Sequence, residues 1–195
     1  MTKRRTRTAA AVVALAVLAV AVTATVGGGG ESRGRPSAPF AWLHPSSPPA
    51  GWKIARTAGR ATFAYPPGWR PIKTDPGTAS VALLGPGGRI DGFLNATPKQ
   101  GAETLANWSR FRVQHNRGEG DRRERIVAST TDARFRAGHA SCVIDTYATS
   151  KAAYREIACL VAGKRSTAVM VAAAPDALWD REAATLERAM SSFVP

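Results

Sequence analysis

Three apolar runs near the C-terminus constrain the fold more than any other feature of this sequence. They span residues 140–149, 153–162 and 166–174, and each has the length and composition of a β-strand. Ser150-Lys151 separates the first two runs and Gly163-Lys164 the last two, and both linkers are short enough for hairpin turns. The segment therefore predicts an antiparallel meander of three strands.

A turn at Ser150 and Lys151 also fixes the register of the first hairpin. Cys142 lies eight residues before Ser150, and Cys159 lies eight residues after Lys151, so the two cysteines face each other across the strands. In an exported protein we expect them to form a disulfide, because oxidising compartments favour one. The alternative is a pair of buried free thiols.

The same register places Asp145 directly opposite Glu156. Like charges in that position destabilise a sheet, so a nearby arginine, exposure to solvent or a shifted register must resolve the conflict. A further interpretation is a cation bound between the two carboxylates. It is disfavoured because a calcium-type site needs more oxygen ligands than this pair supplies.

The remaining periodic segments surround the meander. Further strands are predicted at residues 61–65, 79–84 and 93–97, and a helix over residues 102–115. Pro175 and Asp176 open a final helix with a stripe of apolar residues for burial: Leu178, Trp179, Leu186, Met190 and Phe193. This order predicts an α+β fold, with an antiparallel β-sheet flanked by helices, rather than a series of βαβ units.

The N-terminus is typical of a membrane-directed segment. Residues 1–8 are basic, and residues 9–26 form an uncharged apolar run of 18 residues, so residues 1–30 are either a signal peptide or a membrane anchor. The length of the run favours an anchor, whereas the small residues Val22-Thr23-Ala24 suit signal peptidase. Residues 31–50 are a Gly/Pro/Ser-rich linker, and residues 51–195 form one domain. Within the linker, Phe40, Trp42 and Leu43 could dock on that domain.

The distribution of charge is more informative about membrane topology than about a binding partner. The chain has 27 Lys and Arg against 14 Asp and Glu, a net charge of +13. Four positive charges precede the apolar run and predict that the domain lies outside the cytoplasm, either as a single-pass membrane protein or secreted. The domain itself carries +8, which suits an envelope protein or an anionic envelope polymer. Nucleic acid is not expected as a partner of an exported domain.

No catalytic constellation emerges from the residue pattern. Ser141 and His139 share a strand face, but no acid or oxyanion hole accompanies them. A zinc site from His139, Cys142 and Cys159 competes with the disulfide, which explains the cysteines more simply. The charged residues at 121–125 alternate in sign and are interpreted as a solvated segment. We therefore predict no catalytic residues, metal or cofactor.

The order of these elements resembles the Mog1/PsbP-like family of secreted or membrane-tethered bacterial domains. The matching pieces are the motif at residues 63–69 (FAYPPGW), a central helix, Gly138 before a long strand, three closing strands, and a last helix ending at residues 190–194 (MSSFV). The resemblance implies an α/β/α sandwich. It also implies a non-catalytic binding or accessory role at the cell envelope, because the family has no common catalytic residues. The alternative is a cell-envelope hydrolase whose site forms only on folding.

Overall fold

The computed structural model describes residues 38–195, so the predicted membrane segment lies outside the described residues. No helix within that described range is long and apolar enough to cross a membrane. The helices are α1 (Trp108–Gly118) and α2 (Trp179–Ser191). The strands are β1 (Lys53–Arg56), β2 (Thr62–Tyr65), β3 (Arg70–Ile72), β4 (Ala79–Leu84), β5 (Ile90–Pro98), β6 (Arg122–Phe135), β7 (Gly138–Ala148), β8 (Ala153–Gly163) and β9 (Thr167–Pro175).

Seven of the strands form one antiparallel sheet in the order β3-β4-β5-β9-β8-β7-β6, and β1 pairs with β2 beside it. The predicted meander is confirmed as β7, β8 and β9. Its first turn is closed by Thr149, whose Oγ1 accepts hydrogen bonds from the backbone N–H groups of Lys151 and Ala152. The predicted register is also confirmed, with Cys142 opposite Cys159.

The two helices cover opposite faces of the sheet. Alternate residues of each strand point to opposite sides, so each helix packs on its own set of core residues. The core beneath α2 includes Phe63, Leu94, Ile157, Met170, Leu186 and Phe193. The core beneath α1 consists of Trp108, Val143, Ala158, Leu160, Val169 and Val171. The predicted α+β fold, a sheet between two helices, is confirmed.

Helix α1 begins at Trp108, six residues later than predicted. The side chains of the preceding residues bind the backbone locally, and this competes with helical pairing. The Glu103 carboxylate accepts a bond from the Gln100 N–H, and Thr104 and Asn107 exchange reciprocal side-chain bonds to their backbone N–H groups. Residues 102–107 therefore form a structured loop that leads into the helix.

Part of the predicted linker belongs to the folded unit. Leu43 is buried in the core beneath α2, and Phe40 and Trp42 pack against it, as the sequence suggested. The backbone N–H of Ser46 donates to the Ser191 carbonyl at the end of α2.

Strand β6 was not predicted. Its 14 residues lie at the outer edge of the sheet, where the sequence analysis placed only a solvated charged segment from residue 121 to 125. Its pairing with β7 shifts register at three points, each a β-bulge or irregularity. These shifts erase the alternation of polar and apolar residues by which a strand is recognised.

Two glycines, Gly92 and Gly138, allow close packing in the sheet. A Cβ on Gly92 would lie 2.5 Å from the ring of Trp69, the last residue of the FAYPPGW motif. A Cβ on Gly138 would lie 2.5 Å from the carbonyl oxygen of Ala162 in the neighbouring strand. Both positions therefore require glycine for steric reasons.

Candidate functional site

The residues considered for nucleophilic or metal chemistry are already engaged. Cys142 and Cys159 form a disulfide with an S–S distance of 2.08 Å, and both are fully buried. Ser141 is buried, and its hydroxyl donates to the Thr130 carbonyl at 3.2 Å. His139 is exposed and is the second residue of β7. In this arrangement the sulfurs are not thiolate ligands, and Ser141 is not presented to a substrate.

Helix α1 contacts β8 through two side chains four residues apart. The indole Nε1 of Trp108 donates to the Ala158 carbonyl at 2.9 Å, and Arg112 reaches Glu156. Four helical residues rise about 6 Å, close to the roughly 6.6 Å spanned by two strand residues. Because these two distances are similar, Arg112 lies over Glu156, the one acidic residue of β8.

Arg112 is held by a two-point ion pair beneath the helix. Its Nε lies 2.6 Å and its Nη2 2.8 Å from the two carboxylate oxygens of Glu156, whose side chain is 1% exposed. Burial is the largest single influence and would lower the pKa of Arg112, but the charge and hydrogen bonds of Glu156, with smaller contributions from other acidic groups, together outweigh it and the pKa is raised. The arginine is therefore a fixed, charged group.

Asp145 faces Glu156 across the β7–β8 ladder, as the sequence predicted. It is 1% exposed, and neither of its carboxyl oxygens has a hydrogen-bond partner within residues 38–195. Burial, followed by the charge of Glu156, raises the pKa of Asp145 to about 8. The same two causes raise the pKa of Asp121 and, well above its ordinary range, that of Tyr147. At neutral pH Asp145 therefore holds a proton, opposite a Glu156 that is bound by Arg112.

The structure resolves the repulsion between Asp145 and Glu156 in two ways. The sequence predicted one of them, a nearby arginine. A nearby arginine neutralises Glu156, and protonation removes the charge of Asp145. Sequence reasoning did not single out Arg112, although a signal was present. Arg112 lies four residues after Trp108 and hence on the same buried face of the helix.

A groove runs beside α1 with a volume of about 230 Å³. We call it the α1 groove, and the residues that line it include Pro98, Gln100, Glu103, Trp108, Phe111, Arg112 and His115. The rings of Trp108 and Phe111 stack at 6.2 Å, and those of Phe111 and His115 at 6.4 Å. The groove thus has an aromatic wall on one side and polar groups at its rim.

Arg112 belongs to both the groove and the buried charge cluster. Glu156 occupies its Nε and Nη2, and its Nη1 has no hydrogen bond to any residue from 38 to 195. The guanidinium therefore offers a donor to the groove while the ion pair fixes its position. Asp145 and Glu156 do not line the groove, so a bound molecule contacts the cluster only through Arg112.

No family model and no curated protein matches the sequence. Among solved structures, the chain is similar to the cyanobacterial PsbP protein CyanoP from Synechocystis, with 16% identity and a TM-score of 0.54 over 74% of this chain and 92% of that one. A protein of unknown function from Pseudomonas aeruginosa matches with 11% identity and a TM-score of 0.49 over 75% of this chain and 98% of that one. The domain formed by the described residues has a PsbP-like fold.

Proposed function

We propose that this chain is an exported, non-catalytic binding domain of the cell envelope, and that the α1 groove binds a segment of a partner protein. The N-terminal segment would hold it at the membrane, or direct its secretion if that segment is cleaved. Two features support export: the basic and apolar N-terminus, and a buried disulfide, which is typical of oxidising compartments.

The α1 groove is the observation that carries the proposal. Its stacked rings of Phe111 and His115, with the buried Trp108 behind them, suit an apolar side chain, because aromatic surfaces supply contact area with little loss of side-chain freedom. Beside this wall, Arg112 offers a fixed donor for a carbonyl or carboxylate. An apolar group and an acceptor side by side are what a short peptide segment provides.

The arrangement does not favour the hydrolase alternative. Asp145 and Glu156 form a pair of one protonated and one ionised carboxyl, which is an acid–base pattern. Both are 1% exposed and neither lines the α1 groove, so a bound substrate would not touch them. His139 lies six residues from Asp145 along β7, about 20 Å away along the strand, so the three groups do not share a cleft.

Site-specific photocrosslinking in the native host tests the proposal. A photoreactive residue replaces His115 at the rim of the groove in the full chain. The matched control replaces Gln114, the exposed neighbour on the same helix, which does not line the groove. We expect a defined protein adduct from position 115 and none from position 114.

The adduct from position 115 should weaken when Phe111→Ala is added, because the aromatic wall is then interrupted. Identical adducts from both positions would show nonspecific contact. No adduct at all from position 115 would contradict the use of the groove. Hydrolysis of envelope polymers by the purified protein would establish the enzyme alternative instead.

A further inference from the structure

One end of the large sheet collects exposed basic side chains. The last residue of β5, the β8–β9 turn and the β6–β7 turn all lie at this end, because neighbouring strands are antiparallel. The β1–β2 turn joins them, since a Cβ on Gly59 would lie 3.7 Å from the Cγ of Pro98 at the end of β5. We call the exposed basic residues of these segments the basic end: Arg60, Lys99, Arg136, Lys164 and Arg165.

Backbone pairing places these segments side by side. The N–H of Lys99 donates to the carbonyl of Thr167, the first residue after the β8–β9 turn, at 3.0 Å. Gly138, which follows the β6–β7 turn, pairs with Gly163, which precedes the β8–β9 turn. Neighbouring strands lie about 4.8 Å apart, so the row from Lys99 to Arg136 is about 15–20 Å long.

The side chains of the basic end are available to an external anion. None of the five forms an ion pair with another residue from 38 to 195. Lys99 and Arg136 donate only to neutral oxygens, the Gly101 carbonyl and the Ser47 hydroxyl. The other three make no side-chain hydrogen bond within the same range.

The acidic residues nearest to the basic end do not balance it. Glu103 is buried, and one of its carboxylate oxygens accepts a backbone N–H. Asp132 pairs with Arg134 at 3.4 Å. Asp75 and Glu187 each have another basic residue within two positions along the chain. The five charges of the basic end are therefore in excess.

Most acidic side chains of the described residues lie toward the other end of the strands. They include Asp91, Glu119, Asp121, Glu124, Asp176 and Glu182. Several arginines there are already held in ion pairs with these acids: Arg89, Arg117, Arg155 and Arg181. Charge is thus separated along the strand direction, with unpaired positive charge at the basic end.

We propose that the basic end binds an extended anionic polymer, which in the exported chain of the proposed function belongs to the cell envelope. Its charges stand on separate turns in a row, so they meet several successive anionic groups rather than one small anion. The exposed large hydrophobic residues lie outside these turns, so the end lacks the apolar contact of a bilayer-binding surface. The basic end borders the α1 groove at Lys99, but the inference does not depend on a ligand in that groove.

Binding of end-labelled, long-chain polyphosphate to the full chain in uncharged detergent tests the proposal. Fluorescence anisotropy gives the affinity at a series of salt concentrations. The variant R60Q/K164Q/R165Q removes three charges from the basic end whose side chains make no hydrogen bond within the described residues. The basic N-terminal residues 1–8 are present in every sample and do not contribute to a difference between samples.

The matched control R122Q/R123Q/K151Q removes three exposed basic residues from the other end of the strands. When salt rises fourfold, the affinity of the wild type should fall about twentyfold further than that of R60Q/K164Q/R165Q. Each lost contact lowers the slope of log affinity against log salt by about 0.7. The control should keep the wild-type slope.

Equal slopes for the two variants would mean that net charge alone acts, and would overturn the proposal. Inorganic phosphate that competes as well as polyphosphate, at equal total phosphate, would assign the basic end to single anions. Loss of binding to phosphatidylglycerol vesicles, but not to polyphosphate, in R60Q/K164Q/R165Q would assign it to a bilayer instead. Phe111→Ala changes the α1 groove and should leave polyphosphate binding intact, so this test and the test of the groove fail separately.

Discussion

Asp145 lies directly opposite Glu156 in the β7–β8 ladder, and only Glu156 is bound by Arg112. The two carboxyl groups are equally buried, yet their chemical states differ because a single arginine is available to them. Glu156 is a fixed carboxylate, and Asp145, whose pKa is about 8, carries a proton at neutral pH. The cluster therefore couples the stability of the fold to pH.

Asp145→Asn should remove much of that pH dependence. The pKa of Asp145 is about 8 in the folded chain against an ordinary 3.8, so between these values the folded state holds a proton that the unfolded state releases. The contribution of Asp145 to the free energy of unfolding therefore falls as pH rises from about 4 to about 8. Asparagine resembles the protonated acid but does not titrate, so the variant gains relative stability over this range, by at most about 6 kcal/mol.

Chemical denaturation at a series of pH values measures this difference. Asp132→Asn is the matched control, because its side chain is 83% exposed. We expect the control to follow the wild-type curve. If the wild-type and Asp145→Asn curves ran parallel from pH 4 to pH 8, the proton would not be bound at Asp145.

Arg112→Met should destabilise the fold strongly at neutral pH. The substitution keeps a long side chain but leaves the buried carboxylate of Glu156 without its cation, a loss of about 3–5 kcal/mol in comparable cases. Denaturation by urea measures the change. The double variant Arg112→Met/Glu156→Gln should recover part of the loss, because no uncompensated charge then remains beneath α1. A double variant as unstable as Arg112→Met would show that packing, not charge, dominates at this position.

The register of the central hairpin could be predicted because it depends on a turn and on counting. A short turn at Ser150 and Lys151 fixes every opposed pair on β7 and β8, including both the disulfide and the acidic pair. The partner of Glu156 could not be identified in the same way. Arg112 reaches it from a helix 44 residues earlier, and only the packing of α1 on the sheet brings them together.

Strand β6 escaped sequence analysis for a different physical reason. An edge strand in contact with solvent on much of its surface needs no apolar face, and the irregular pairing with β7 breaks its period. For residues 102–107 a helix was predicted where the structure has a loop. The prediction was wrong because Leu105 and Trp108 have helical spacing. There the side chains of Thr104 and Asn107 replace helical hydrogen bonds, and spacing alone does not reveal this.

The disulfide should contribute about 3 kcal/mol to the stability of the fold, because it closes a loop between residues 17 apart. The double variant Cys142→Ala/Cys159→Ala should lose that amount in urea denaturation. Mass spectrometry of the native protein after alkylation without a reductant is the control, and both cysteines should be unmodified. Free thiols in the exported protein would contradict the cross-link.

Gly92→Ala should destabilise the fold through Trp69. The added Cβ would lie 2.5 Å from the buried indole, and relief of such crowding costs about 1–3 kcal/mol. Gly68→Ala, next to Trp69, is the control, because a Cβ there meets nothing within 4 Å. Thermal and urea denaturation should therefore distinguish the two alanines.

The double variant Gly92→Ala/Trp69→Phe identifies the source of the loss. Phenylalanine is smaller than tryptophan and leaves room for the new methyl group, so the two substitutions together should cost less than the sum of their separate effects. Strictly additive losses would mean that the alanine acts on the backbone of β5 and not on the indole. A favourable coupling would tie the tryptophan of the FAYPPGW motif to the glycine that lets it pack.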